Sequence, residues 1–139
     1  MLKAALMLAA GALLVLPLVA WARRLSPRRQ VAIYGLGIAA AALVYLAFAL
    51  AFGGAQRFSA GVAGREAAGL LAYGAIAVLA ARGRPLLAAL GWAAHTGWDL
   101  MHLSAETAYV PAFYPWVCMG FDLALAVYVV AALGRRQAS

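Results

Sequence analysis

Five ionisable side chains fall within or beside the long apolar segments of this chain. They are Glu66, His95, Asp99, His102 and Asp122. An ionisable group in an apolar surrounding is costly, by about 2.5 to 3.5 kcal/mol on membrane-insertion scales. Of the four acidic residues and two histidines in the chain, only Glu106 falls where a loop is expected. We therefore interpret the five as functional candidates.

The spacing of these residues places several on shared helix faces. At 100° per residue, His95, Asp99 and His102 fall within about 60° of arc on one face of a helix. Glu106 would join them if the helix continued. Cys118 and Asp122 are four residues apart and share a face of a later helix.

Two kinds of chemistry fit this set. Imidazoles and carboxylates are ligands of zinc, iron, manganese and copper(II), and His95 with Asp99 can hold one ion from adjacent helical turns. We expect His95, Asp99 and His102 as core metal ligands, with Asp122 and Glu66 completing the shell. The same groups could act as acids and bases on a lipid-like substrate without a metal, for which His95, Asp99, Asp122 and Glu66 are the candidate catalytic residues. A purely structural hydrogen-bonded lock between helices is the third interpretation.

The composition indicates that these residues lie in a membrane. The chain has 139 residues, of which 68% are hydrophobic and 11% charged, and its mean hydropathy is +0.92. A water-soluble domain of this size could not bury so much apolar surface. Because a spanning helix needs about 20 mostly apolar residues, five spans nearly exhaust the chain.

The apolar segments predict an all-α bundle of five transmembrane helices in a single domain, 1–139. The expected spans are 2–22, 31–52, 62–81, 85–103 and 114–133. We interpret the first segment as a span, because it is long for a signal peptide and Arg23 and Arg24 follow it directly. Pro85 is suited to the first turn of the fourth span. Five glycines are expected to admit close helix approach, namely Gly64, Gly69, Gly74, Gly91 and Gly97.

The basic residues predict the orientation. Eight of the eleven collect on one side of the predicted topology, namely Arg23, Arg24, Arg28, Arg29, Arg82, Arg84, Arg135 and Arg136. The other side has Lys3, Arg57 and Arg65. The positive-inside rule then places the N-terminus outside and the C-terminus in the cytoplasm. His95, about 15 Å along its helix from Pro85, would lie near the bilayer centre, with Asp99 and His102 in the outer half.

The charge and the single cysteine exclude other classes. The net charge of +7 comes from basic clusters beside apolar segments, where they anchor helix ends at lipid headgroups, so nucleic acid is not an expected partner. Cys118 cannot form an intrachain disulfide, and there is no CxxC spacing. The expected partners are membrane lipids and a lipid-like or small-molecule substrate, with a homo-oligomer or a membrane complex as alternatives.

Two further roles stay open. A metal or proton carrier needs a polar path to the cytoplasm, yet the helices between the site and the inner face consist almost wholly of Ala, Leu, Val and Gly. An accessory subunit of a membrane complex would need the polar cluster only for assembly.

The segment 91–102, with the sequence GWAAHTGWDLMH, resembles an uncharacterised family of small bacterial membrane proteins, domain of unknown function 6010. The resemblance implies a location in the bacterial inner membrane and a site at the family's matching positions: Glu66, the core from His95 to Asp99, His102, Cys118 and Asp122. The family core often has two adjacent histidines, whereas here Leu103 follows His102. A looser similarity, in architecture and residue types, links the chain to the five-span emopamil-binding sterol isomerases, which implies proton transfer by intramembrane acids and a histidine.

Overall fold

The computed structural model describes residues 1–52, 60–103 and 109–134, and these form helices without strands. Glu106 and the basic residues Arg57, Arg135 and Arg136 lie outside the described residues. The helices are α1 (Leu2–Ala22), α2 (Pro27–Phe52), α3 (Ala60–Ala81), α4 (Pro85–Met101) and α5 (Tyr114–Val129), with α5 continuing as a π-helical turn over Val130–Gly134.

Prolines and one glycine define several helix ends. Pro27 begins α2, four residues before the predicted start at 31, because its fixed φ suits a first helical turn. Pro85 begins α4 as predicted. Between α3 and α4, Gly83 has φ +93°, a conformation that side chains with a Cβ rarely adopt. The fourth predicted span, 85–103, is a helix only to Met101.

Four of the helices are long and apolar enough to cross a membrane, namely α1, α2, α3 and the segment Tyr114–Gly134. The helix α4 is shorter, with 17 residues. Large apolar side chains face outward on every helix, including Leu13, Leu43, Leu71, Leu90 and Val127. Such an outer surface is expected in contact with lipid and is unfavourable in water.

The helix contacts form a chain from α1 to α5, from α5 to α4, and from α4 to the closely packed pair α2 and α3. The crossing of α1 and α5 depends on two glycines, Gly11 and Gly120. A Cβ at Gly11 would collide with the carbonyl oxygen of Val117, and one at Gly120 with that of Leu8. The two backbones therefore touch directly.

The predicted close approach is confirmed at two of the five glycines. A Cβ at Gly69 would collide with the ring of Trp98, and one at Gly91 would lie 2.5 Å from Cδ1 of Ile38. The prediction is wrong for the other three, Gly64, Gly74 and Gly97, because no atom lies within 4 Å of a Cβ built there. These three face open space on the helix surface.

Candidate functional site

Helix α4 carries the first two site residues on its buried face. His95 and Asp99 are four residues apart, and both are fully buried. Trp92 continues this face toward the N-terminus of the helix, and its Nε1 donates a hydrogen bond of 2.8 Å to the carbonyl oxygen of Tyr34. This bond attaches α4 to α2 one turn from His95. The position of α4 beside α2, and with it that of His95, is thus fixed in part by this bond.

Asp122 on α5 completes a group of three ligand-type residues. Nδ1 of His95 lies 2.8 Å from Oδ2 of Asp122 and 3.5 Å from Oδ1 of Asp99. One ligand atom from each residue lies within 4.8 Å of the others, and all three residues are buried. The sequence-predicted convergence of these three residues is therefore present.

Two buried atoms of this group have no hydrogen-bond partner among the described residues. They are Nε2 of His95 and Oδ2 of Asp99. Buried polar groups are nearly always paired, because an unpaired one costs about 1–3 kcal/mol. Asp99 and Asp122 are also hydrogen-bonded to each other through their side chains, so the three residues form one connected polar cluster.

The donor set fits a divalent metal ion. Nitrogen and oxygen ligands about 2.0–2.2 Å from one ion lie roughly 3 to 3.5 Å from each other, close to the 2.8 and 3.5 Å separations about Nδ1 of His95. Two carboxyl groups in an apolar interior are stabilised either by a compensating positive charge or by a shared proton. One imidazole with two carboxylates is a ligand set suited to zinc, iron or manganese.

Tyr45 on α2 belongs to the site but was not predicted from the sequence. Its hydroxyl donates a hydrogen bond of 2.6 Å to Oδ1 of Asp99, and the residue is fully buried. Its ring stacks on His102 with centroids 4.0 Å apart. A phenol in the middle of an apolar span needs a polar partner, and this signal could have identified Tyr45.

Glu66 and His102 pair with each other in a second cluster instead of joining the first. Oε1 of Glu66 lies 3.1 Å from Nε2 of His102 and accepts hydrogen bonds from the Tyr109 hydroxyl at 2.5 Å and from Nε of Arg65 at 3.4 Å. The Tyr109 hydroxyl in turn accepts a hydrogen bond of 3.1 Å from Nη2 of Arg65. The predicted role of Glu66 and His102 as metal ligands stays a prediction.

The hydrogen bonds of His102 fix where its proton lies. Nδ1 is 2.9 Å from the carbonyl oxygen of Trp98, which can only accept, so Nδ1 carries a proton. Burial and the bond to Glu66 raise the pKa of Tyr109, in the loop before α5, to about 12, so its phenol remains a donor at neutral pH.

The ring of Tyr45 lies between the two clusters, contacting His102 with its face and Asp99 with its hydroxyl. On the other side of His95, the ring of Tyr73 approaches edge-on, with centroids 5.0 Å apart, and its hydroxyl donates a bond of 3.1 Å to the carbonyl oxygen of Ala94. The rings of Tyr45 and Tyr73 thus both lie against the imidazole of His95, which is fully buried.

No protein-family model, curated protein or solved structure matches this chain. The resemblance of segment 91–102 to an uncharacterised membrane-protein family therefore stays a prediction, and the candidate site is argued from its own geometry.

Proposed function

We propose that this chain is an integral membrane protein whose buried group His95, Asp99 and Asp122 binds one divalent transition metal ion. The observation that carries the proposal is the convergence of three fully buried residues whose ligand-type atoms lie within 4.8 Å of one another.

The proposed topology has five spans in a bacterial inner membrane, with the N-terminus outside. The 17 residues of α4 extend about 25 Å, close to the lower limit for a span. Arg23 and Arg24 between α1 and α2 and Arg28 in the first turn of α2, with Arg82 and Arg84 between α3 and α4, support a cytoplasmic location of these two connections. The metal group then lies near the bilayer centre, and Glu66 and Tyr109 lie toward the outer face.

The environment of the group supports catalysis on a lipid-like substrate. A bound divalent ion would act as a Lewis acid toward an oxygen atom of the substrate. Tyr45 orients Asp99 through its hydroxyl. Hydrogen bonds of this kind fix the position of metal ligands and tune their basicity. The surrounding rings exclude water from the reacting groups.

A second candidate, acid/base catalysis without a metal, is favoured by the Glu66–His102 pair. Oε1 of Glu66 and Nε2 of His102 lie 3.1 Å apart, and Oε2 of Glu66 is buried without a partner among the described residues. Such a pair can deliver a proton to a substrate and recover it. The looser similarity to sterol isomerases supports this alternative.

Elemental analysis of the purified protein in detergent tests the metal proposal. We expect close to one metal ion per wild-type chain and its loss in His95→Ala and Asp99→Asn, because each removes a ligand. Glu66→Gln is the matched control: it also converts a buried carboxyl group into an amide, but in the second cluster, and we expect it to retain the metal. Monodisperse elution establishes that each variant is folded.

Wild-type protein that carries no metal and cannot be loaded with zinc, iron, manganese or copper would overturn the metal proposal and leave acid/base chemistry or a structural lock. Loss of metal in Glu66→Gln as well as in Asp99→Asn would place both clusters in one ligand shell, as the sequence predicts.

A further inference from the structure

A basic pocket lies at the end of the molecule where α2 and α4 begin and the π-helical turn after α5 ends. It has a volume of about 340 Å³, within the range of about 300–1,000 Å³ that is common for small-molecule sites. Arg28, in the first turn of α2, and Arg82, directly after α3, both line it. Its apolar wall includes Val31, Pro85 and Leu133. The fold therefore brings arginines from two separate connections to one cavity.

The positive charge of the basic pocket has no acidic partner among the described residues. Arg28 and Arg82 are exposed, and neither forms an ion pair or a side-chain hydrogen bond with another described residue. The described acidic residues are Glu66, Asp99 and Asp122, which are buried. Each lies at least about 15 Å along its helix from the residues that line the pocket. The pocket is therefore an unbalanced concentration of positive charge.

The N-termini of two helices add to this charge. Pro27 and Pro85 begin α2 and α4, and both line the basic pocket. The first turns of these helices contain no acidic residue, and Arg84, the N-cap of α4, makes no side-chain capping hydrogen bond. The unpaired N–H groups at a helix N-terminus carry partial positive charge. The arginines and the helix ends thus favour the same kind of ligand, an anion.

A neighbouring pocket at the same end of the molecule differs in this respect. It shares Leu133 with the basic pocket and is also lined by Arg23, Gln30 and Tyr128. The guanidinium of Arg23 lies 6.0 Å from the centroid of the Tyr128 ring, and Nε2 of Gln30 donates a hydrogen bond of 2.9 Å to the carbonyl oxygen of Leu25. These polar groups have partners within the chain, whereas the two arginines of the basic pocket do not.

We propose that the basic pocket binds the phosphate group of one anionic phospholipid. An arginine presents paired N–H donors that match the oxygens of a phosphate, so that Arg28 and Arg82 can bind one phosphate together. In the proposed topology the pocket lies at the cytoplasmic ends of the helices, at the depth of the lipid headgroups. The inference rests on this membrane location but not on the metal group, because His95 lies about 15 Å along α4 from Pro85.

The lining of the basic pocket favours a lipid over free phosphate and an anionic lipid over a zwitterionic one. Val31, Pro85 and Leu133 form an apolar wall against which a lipid can place its glycerol and acyl carbons, and free phosphate has no such atoms. The ammonium group of a zwitterionic headgroup would be repelled by the same arginines that attract its phosphate. An anionic headgroup has no opposing charge of this kind.

Native mass spectrometry of the protein in dodecyl maltoside tests the proposal by counting the lipids bound during a titration. The probes are dioleoyl phosphatidylglycerol and dioleoyl phosphatidylcholine, which share their acyl chains. A neutral detergent removes the charged bilayer surface, so diffuse attraction to many lipids contributes little. We expect saturable binding of one phosphatidylglycerol per chain, with a half-saturating concentration at least about fivefold lower than that of phosphatidylcholine.

Neighbouring arginines provide matched controls. Arg28→Gln and Arg82→Gln each remove one charge from the basic pocket, and we expect each to raise the half-saturating phosphatidylglycerol concentration about fivefold. Arg29→Gln and Arg84→Gln remove the same charge beside the pocket but not from its lining, and should raise that concentration by less than about twofold. All four arginines are exposed, so none of the substitutions alters the packed interior.

Equal losses in all four variants would overturn the pocket and assign the attraction to the basic end of the molecule as a whole. Equal affinities for the two lipids would overturn the role of the negative charge. Glycerol 3-phosphate separates the two sources of phosphate: displacement of the lipid at the concentration at which the lipid saturates the protein overturns a lipid occupant, and no displacement there supports it. Metal content is measured on the same samples, so failure of the metal function and failure of the lipid site are seen separately.

Discussion

At the scale of single residues, the hydroxyl of Tyr45 makes the most direct contact with the candidate metal group of His95, Asp99 and Asp122. It is fully buried, and its bond of 2.6 Å to Oδ1 of Asp99 fixes one oxygen of a prospective ligand. The carboxylate would otherwise be free to rotate about its last torsion. Ligand orientation of this kind is commonly supplied by residues that do not touch the metal.

We expect Tyr45→Phe to weaken metal binding by about 10- to 100-fold, the usual effect of losing a hydrogen bond to a ligand, while the ring keeps its contact with His102. Metal affinity is measured by competition with a chelator. Tyr73→Phe is the control, since its hydroxyl bonds to the carbonyl oxygen of Ala94 and not to a site carboxylate. Equal affinities of Tyr45→Phe and wild type would exclude this role.

A separate prediction concerns Tyr109 and the dependence of stability on pH. In the folded state its pKa is raised from 10.0 to about 12, because burial and the bond to Glu66 favour the neutral phenol. The stabilisation is complete below pH 10 and is lost as the pH rises through about 12, since only the unfolded chain ionises readily in that interval.

Thermal unfolding in detergent between pH 8 and 12 tests whether stability falls with rising pH as predicted. Wild type should lose more stability than Tyr109→Phe over the upper two pH units, because the other tyrosines contribute equally to both proteins. A parallel decline of the two proteins would show that Tyr109 has no such coupling.

Among the secondary-structure elements, α1 and α5 depend on glycine for their contact. Replacing Gly120 by Ala forces a methyl group against the carbonyl of Leu8, and neither backbone can yield without moving a helix. We expect Gly120→Ala to lower the free energy of unfolding by about 1–3 kcal/mol. Gly74→Ala, at a glycine with nothing within 4 Å, should change it by less than about 0.5 kcal/mol or raise it slightly. Unfolding in mixed micelles measures both.

These elements show how far the sequence determines the fold. The lengths of the apolar segments and the positions of the prolines were sufficient to predict an all-α chain of five helices, because each signal is local. The glycine contacts were predicted only in part, at Gly69 and Gly91, since Gly11 and Gly74 look alike until the helix neighbours are known. The convergence of His95, Asp99 and Asp122 followed from depth along two helices, whereas Tyr45 depended on where α2 packs. The separation of Glu66 and His102 from that group likewise required the helix arrangement.

In the molecule as a whole, the basic residues of the short connections and the cluster around Tyr109 lie toward opposite ends of the helices. The described arginines of the two short connections, α1 to α2 and α3 to α4, lie at one end, and Tyr109 with Arg65 lies toward the other. In the proposed topology, this asymmetry would place the group of His95, Asp99 and Asp122 near the bilayer centre and separate it from the cytoplasm by apolar side chains. A substrate would then arrive from the membrane or from outside.

Cysteine labelling of intact cells tests this arrangement in a Cys118→Ser background, which removes the native thiol. Ser26 lies in the exposed turn before α2, and Ala112 in the exposed segment before α5. A membrane-impermeant maleimide should modify Ala112→Cys in intact cells and Ser26→Cys only after the cells are opened, because the positive-inside rule keeps the arginine-rich turn in the cytoplasm. Labelling of both in opened cells is the control for reactivity. The reverse pattern would invert the topology, and labelling of both in intact cells would show that α2, α3 and α4 make an even number of crossings between the two positions.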